Sequence, residues 1–390
     1  MRITFVANQC VPFHAASLSE RPLGGTETAV IRLSDELHAR GHEVTVFTPH
    51  QAPLSVGPRY IALTDANLER MPICDVLIAV REWKILMSPA HAELRLFWTG
   101  DAHDAPTTFG IGDPRVARRI DAMMLNSDWH ARELCGRAGI STDKAWIIGC
   151  GVHMLDFAGA EPRGRKRLIY SSTPVRGLVL LPRIYERVAS RHPDAELHVF
   201  AGFGTYRQGP GGDRDEWNEE WRTLADTLSA LPGCTVHGNV LQHELAREFM
   251  RSSILAYPNT FNETFCVTAA EAQAAGCAIV TSDRAALPET VGQAGILVAG
   301  LPGSRAYEDD FVAALERLLT DDAEFLRMTA HGRARAHSAF DWAVIAAGLE
   351  RRMTHAIEQK RRGARTSRAG SGPDAPSRTT TGGRELKAAS

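Results

Sequence analysis

The stretch Asn259 to Gly276, NTFNETFCVTAAEAQAAG, holds two carboxylates, Glu263 and Glu271, eight residues apart around the start of a small-residue helix. On one continuous helix they would lie about 80° apart, at 100° per residue. With Glu263 in the preceding turn, both can face one cleft. A carboxylate accepts hydrogen bonds from two neighbouring hydroxyls, which suits a polyhydroxylated ligand. The amides of Thr264, Phe265 and Cys266 stand at the same helix start, where free N–H groups and the helix dipole favour an anion such as a diphosphate. The plainer alternative makes Glu263 a favourable charge at a helix end and Glu271 an exposed helical residue. The flanking Ala269, Ala270, Ala272, Ala274 and Ala275 argue against exposure.

A second anion-binding candidate is the loop Pro22 to Glu27, in which Gly24 and Gly25 precede a helix and permit close backbone approach. Plain turn geometry explains such a pair equally well. The loop is neither a GxGxxG fingerprint nor a Walker loop, so dinucleotide and ATP binding lose support. In LFWTGDAHDAP, His103 stands beside Asp101 and Asp104 and can hold a proton or orient a hydroxyl; otherwise it is a surface histidine in an acidic turn. The Cys266 thiol has no neighbour in sequence that would activate it and reads as buried packing.

These residues need elements that bring them together. Ile3 to Ala7 reads as a buried strand, Thr28 to Ala39 as a helix on the spacing of Val30, Leu33 and Leu37, and His42 to Thr48 as a second strand. That is a parallel βαβ unit. Val76 to Val80, Leu94 to Trp98, Ala122 to Asn126 and Ala145 to Ile148 continue the strands. After Gly151 the pattern restarts with strands at Arg167 to Ser171, Glu196 to Ala201, Thr235 to His237, Ile254 to Ala256 and Ala278 to Thr281, interleaved with helices such as Val179 to Arg191, His243 to Arg251 and Thr268 to Ala275. The fold class is therefore α/β, with two Rossmann-like βαβ domains in tandem, residues 1–155 and 156–338. A helix over Trp342 to Glu358 occupies residues 339–359. From Lys360 the chain carries eight Lys or Arg against two acids with little to bury, so 360–390 reads as a disordered basic tail. Contact with an anionic membrane surface is the sharper reading of that tail.

At 390 residues, 44% hydrophobic and 23% charged with net charge −2, the chain exceeds one core and does not look like a nucleic-acid binder. Seven scattered cysteines without a CxxC pair fit reduced thiols in a cytoplasm and no zinc module. No window approaches 18 uninterrupted apolar residues, so no membrane span is expected.

On these residues the chain resembles the retaining glycosyltransferases of family four, glycosyl transferases group 1, over almost its whole length to about residue 355. The most specific element is the Glu-(x)7-Glu motif at Glu263 to Glu271, followed by AQAAG and by LPE at Leu287 to Glu289. The resemblance implies a GT-B fold with the active site between two Rossmann-like domains, the last helix crossing back to the first. It implies a nucleoside-diphosphate-sugar donor, an acceptor the sequence does not specify, and hexosyl-type transfer with retention and without metal or cofactor. It places Glu263 on the donor sugar hydroxyls, Glu271 on the ribose, Gly24 and Gly25 near the phosphates and acceptor, and Arg176, in YSSTPVRGL, on the diphosphate. Asp101, Thr264, Phe265 and Cys266 join the donor set and His103 the catalytic one. Three departures stand out: Ser171 holds a position usually Arg, Cys266 one commonly Gly, and His153 replaces the Asp of a common NGVD. A nucleotide-sugar 2-epimerase and an inactive nucleotide-sugar-binding scaffold are the competing readings.

Overall fold

The computed structural model describes residues 1–50, 57–88, 92–204 and 215–370. Strands β1 (Arg2–Ala7), β2 (Glu43–Thr48), β3 (Arg59–Ala62), β4 (Cys74–Val80), β5 (Ala92–Trp98), β6 (Ala122–Leu125) and β7 (Ala145–Ile147) form one sheet in the order β3-β2-β1-β4-β5-β6-β7. Strands β8 (Arg167–Ser171), β9 (Glu196–Phe200), β10 (Cys234–Val236), β11 (Ile254–Tyr257), β12 (Ala278–Ser282) and β13 (Gly295–Val298) form a second, in the order β10-β9-β8-β11-β12-β13. Neighbours pair parallel throughout both sheets.

Helices cover both faces of a parallel sheet, so its strands run apolar without alternation, and successive side chains enter opposite layers. Ile3, Phe5 and Ala7 of β1 join one core with Val30 and Leu33, while Val6 joins the other with Leu77 and Phe97. In each sheet the strand order reverses once, between β1 and β4 and between β8 and β11. Ligands of open α/β sheets bind beyond the carboxyl ends of strands at such reversals. The loops after β1, β4, β8 and β11 therefore matter most.

Several helices bear on the site. Helix α1 (Gly25–Ala39) starts at Gly25 with Gly24 as its cap, three residues earlier than the apolar spacing from Thr28 indicates. Helix α2 (Asp128–Ala138) is capped by the Ser127 hydroxyl, which accepts from the His130 amide. Helices α3 (Val267–Ala275), α4 (Leu287–Val291) and α5 (Asp322–Arg335) belong to the second domain. A π turn at Ala336–Phe340 then redirects the chain into α6 (Trp342–Gly370).

Helix α6 returns to the first domain. Trp342, Ile345, Ala346, Leu349, Met353 and Ile357 recur every three or four residues and enter the core that holds Val30 and Leu33. The two chain crossings run side by side: the Val152 amide donates to the Phe340 carbonyl (2.5 Å) and the Trp342 amide to the Val152 carbonyl (3.4 Å).

Two expectations are corrected. The basic segment from 360 is helical as far as Gly370, because its cations find carboxylates on the first domain: Lys360 pairs with Asp121 and Arg361 with Glu93 (both 2.6 Å). Residues 371–390, the rest of the expected tail, lie outside the described residues. Strand β3 escapes the sequence pattern because it is a four-residue edge strand with no fully buried position. No helix among the described residues is long and apolar enough to cross a membrane.

At the crossing, a Cβ on Gly151 would lie 2.2 Å from the Trp342 ring. Gly151→Ala should therefore destabilise the protein by about 1–3 kcal/mol, the usual cost of overpacking. Urea unfolding measures this, and an unchanged midpoint would count against a tight fit of the α6 indole here.

Candidate active site

The loops after β8 and β11 meet at the reversal of the second sheet. Gly177 adopts φ +94°, and a Cβ there would sit 2.0 Å from the Pro258 carbonyl oxygen, so glycine lets the loops touch. That contact sets the Arg176 guanidinium against the Glu263 carboxylate, which also accepts from the Tyr257 hydroxyl at 2.7 Å. Glu263 is only 5% exposed. A carboxylate so buried is tolerated when charged and hydrogen-bonding partners replace water, and both are present. Arg176 lies over the Phe261 ring, 4.7 Å from its centroid.

Glu271 sits on α3 and receives a hydrogen bond from the Gln242 side-chain amide. Burial pushes its carboxyl up to about 8, the Gln242 bond acting in the opposite direction and the Asp156 charge adding to the rise. It is therefore neutral at pH 7 and can donate as well as accept.

Gly24, Gly25, Asp101, Arg176, Glu263, Thr264, Phe265, Cys266 and Glu271 all line one cleft of ≈ 440 Å³ between the sheets. That volume falls in the range of small-molecule sites. Gly25 begins α1 and Val267 begins α3, and a Cβ on Gly25 would lie 3.9 Å from the Val267 side chain. Two helix N-termini thus approach each other at the cavity with Arg176 on its wall, a setting suited to an anion. Gly24 has a local reason as well: a Cβ there would meet the Glu27 carboxylate at 2.6 Å, and Glu27 folds back to accept from the Val11 amide.

The structure separates other members of the expected set. His103 is not among the cleft-lining residues; its ring lies 3.8 Å from Glu133 on α2, because the turn after β5 carries the side chain away from the cavity. Asp101 does line the cleft but accepts from the Nε and Nη2 edge of the Arg81 guanidinium (2.9 and 3.0 Å) and from the Thr107 hydroxyl (2.7 Å). The Thr264 side chain is committed to the first domain: its hydroxyl donates to the Gly100 carbonyl (2.8 Å) and accepts from the Asn126 side-chain amide (3.2 Å). The Ser127 hydroxyl donates to the Thr264 carbonyl at 2.8 Å. Phe265 packs edge-on against Phe340. Cys266 is buried at φ +81°, a left-handed conformation that disfavours a residue with a Cβ.

Ser171 brings no charge, and its carbonyl accepts from Thr268 (2.7 Å). Lys166 and Arg167 do not substitute; they pair with Asp194 and Glu248 and are absent from the cleft wall. His153 lies 3.0 Å from Asp156, which also pairs with Arg32 at 3.2 Å.

Tyr257, Gln242, Arg81 and His130 escape the sequence reading. A tyrosine at the end of an apolar strand signals a hydroxyl seeking a partner. His130 is legible only in three dimensions: its Nδ1 accepts from the Asn126 amide (3.3 Å) and its Nε2 donates to the Asp101 carbonyl (2.9 Å). Burial lowers its pKa to about 4, so this neutral tautomer is the one present at pH 7.

Two parallel sheets facing a cleft define the GT-B fold, shared by solved structures of low sequence identity. Sucrose-phosphate synthase from Thermosynechococcus elongatus superposes with a TM-score of 0.68 at 17% identity, over 92% of this chain and 100% of that one. HepE from Anabaena in complex with UDP gives 0.67 at 15%, over 91% and 100%. Residues 167–321, most of the second domain, match the family Glycosyl transferases group 1. The MMP alpha-(1->4)-mannosyltransferase of Mycolicibacterium hassiacum is 28% identical over 236 residues, 60% of this chain and 54% of that protein. A D-inositol 3-phosphate glycosyltransferase of Streptomyces bingchenggensis is 27% identical over 298 residues, 69% and 61%. The match thus spans little more than half the length of these relatives.

The Glu271 carboxyl has a testable signature. Its folded pKa lies above the unfolded value, so the folded state holds the proton more tightly and stability falls as pH rises from about 5 to about 8. Glu271→Gln should flatten that part of the melting-temperature profile. Parallel profiles for the two proteins would contradict a neutral buried carboxyl.

Proposed function

We propose that the chain is a retaining, hexosyl-type glycosyltransferase that moves a sugar from a nucleoside-diphosphate-sugar to an acceptor hydroxyl. The observation that carries this reading is the convergence on one cleft wall of Glu263, Glu271, Arg176 and the start of α3, opposite the start of α1. Glu263 would hold the donor sugar hydroxyls and the neutral Glu271 the ribose. Departure of the sugar leaves a dianionic diphosphate beside an oxocarbenium-like centre, so N–H groups and cations belong at the phosphates. The amides at the starts of α1 and α3 and the Arg176 guanidinium supply them without a metal. Among the described residues Arg176 is the one lysine or arginine that the second domain places on this wall.

Donor binding redistributes an existing interaction. Arg176 and Glu263 pair with each other. A donor would give each its own partner, phosphate for the cation and hydroxyls for the carboxylate. Retention then follows a same-face course in which the leaving phosphate takes the acceptor proton. The name of the HepE structure, solved with UDP, and the transferase names of the curated relatives support a nucleotide-sugar donor. We place the protein in the cytoplasm; the acceptor is a hydroxyl compound outside the described contacts.

Incubation with UDP-, GDP- and ADP-sugars and measurement of nucleoside diphosphate release test the reading. One donor should be turned over, and Glu263→Ala and Arg176→Ala should each lower its rate by about a hundredfold or more, as loss of a transition-state contact does. Isomerised donor without release would point to a 2-epimerase. Tight nucleotide binding with no release across acceptor mixtures would point to a scaffold.

A further inference from the structure

We propose that Glu289 is a positioning residue, an interdomain latch that ties the first domain to the loop carrying Glu263. This rests on the reading of the cleft as a nucleotide-sugar site. Glu289 lies on α4 of the second domain, yet its carboxylate accepts from the backbone amides of Asp128 and Trp129, both at 2.8 Å, and from Arg132 at 3.2 Å. Those amides open α2 of the first domain, where no partner within the helix exists for them.

The capping of α2 is thus divided between the two domains. The Ser127 hydroxyl accepts from the His130 amide (3.0 Å) and the Ser127 carbonyl from the Ala131 amide (3.0 Å). The remaining amides, Asp128 and Trp129, go to Glu289. Separating the domains would uncap half of this helix start. The carboxylate's negative charge also meets the positive end of the α2 dipole.

The latch reaches the donor loop through short links. Thr290, next to Glu289, donates its hydroxyl proton to the Phe265 carbonyl. Arg335 donates to the carbonyls of Glu289 and Thr290, fixing the end of α4. Ser127, beside the amides that Glu289 caps, donates to the Thr264 carbonyl. The backbone of residues 264 and 265 is therefore gripped from both sides, by Ser127 of the first domain and by Thr290 beside the latch. Their neighbours Glu263 and Cys266 inherit that position. The Glu289 side chain is 33% exposed, so water competes for its oxygens and the contact is weaker than a buried one.

Full-length wild type, Glu289→Ala and the isosteric Glu289→Gln decide the matter, with backbone exchange at Asp128 and Trp129 read by hydrogen–deuterium exchange and donor turnover read as nucleoside diphosphate release. Glu289→Ala should speed exchange at both amides by about tenfold, the equivalent of one lost charge-assisted hydrogen bond. It should lower kcat by about the same factor with the donor KM changed less than about twofold, since the loop geometry and not donor contact is lost. Glu289→Gln, with one acceptor oxygen left, should fall between. Unchanged exchange in both variants overturns the latch, and faster exchange with unchanged kcat overturns the positioning role. If wild type turns over no donor, the functional reading fails while the exchange data still judge the latch. A lowered melting temperature with kcat intact marks Glu289 as structural only and rejects the proposal.

Discussion

A carboxylate nearly sealed from water constrains everything around it. Glu263 keeps its place because Arg176 and Tyr257 replace the lost solvent, and those partners come from the loop after β8 and the end of β11, which lie side by side only in the strand order of the second sheet. Removing either partner leaves a buried charge underpaired, which is far costlier than never burying it. The glycine at 177, the strand-end tyrosine and the β8–β11 adjacency are therefore parts of one solution.

The first domain contributes geometry more than charge. Its wall presents the start of α1, the Arg81–Asp101 pair and Asn126. The arginines of the cleft, Arg32, Arg81 and Arg176, each face a carboxylate: Asp156, Asp101 and Glu263. A cavity so balanced gains little from net charge and depends on the direction of its hydrogen bonds. Cys266 fits that picture poorly. Its left-handed backbone is the conformation that glycine adopts without cost, so the thiol's burial in the second core has to offset about 1–2 kcal/mol of backbone strain.

Much of this was legible in the sequence because the signals were periodic or chemically rare. Uninterrupted apolar runs marked the parallel strands, and two glutamates among alanines marked α3. The Glu263–Arg176 proximity was readable only by resemblance, since 87 residues separate them. His103 shows the converse failure: its type and acidic neighbours suggested chemistry, but the direction of a turn after β5 is written in backbone angles and not in composition. Strand β3 and the helical continuation beyond residue 360 were missed for a shared reason. Both are stabilised by partners far away in the chain, Thr45 to Thr48 for the strand and Asp121 and Glu93 for the helix, which local propensity does not contain.

The crossing of α6 has a consequence for the order in which the protein can be made. The first domain's core includes Trp342, Leu349 and Met353, so its polypeptide is not contiguous: the sheet layer that α1 covers with Val30 and Leu33 is completed only once α6 has been made. The second domain, continuous from β8 to α5, can finish first. Synthesis therefore runs from the amino terminus while folding closes in the reverse order. A nascent chain keeps that layer incomplete through the time needed to translate the second domain, and the turns of α6 from Trp342 to Ile357 close the first domain's core.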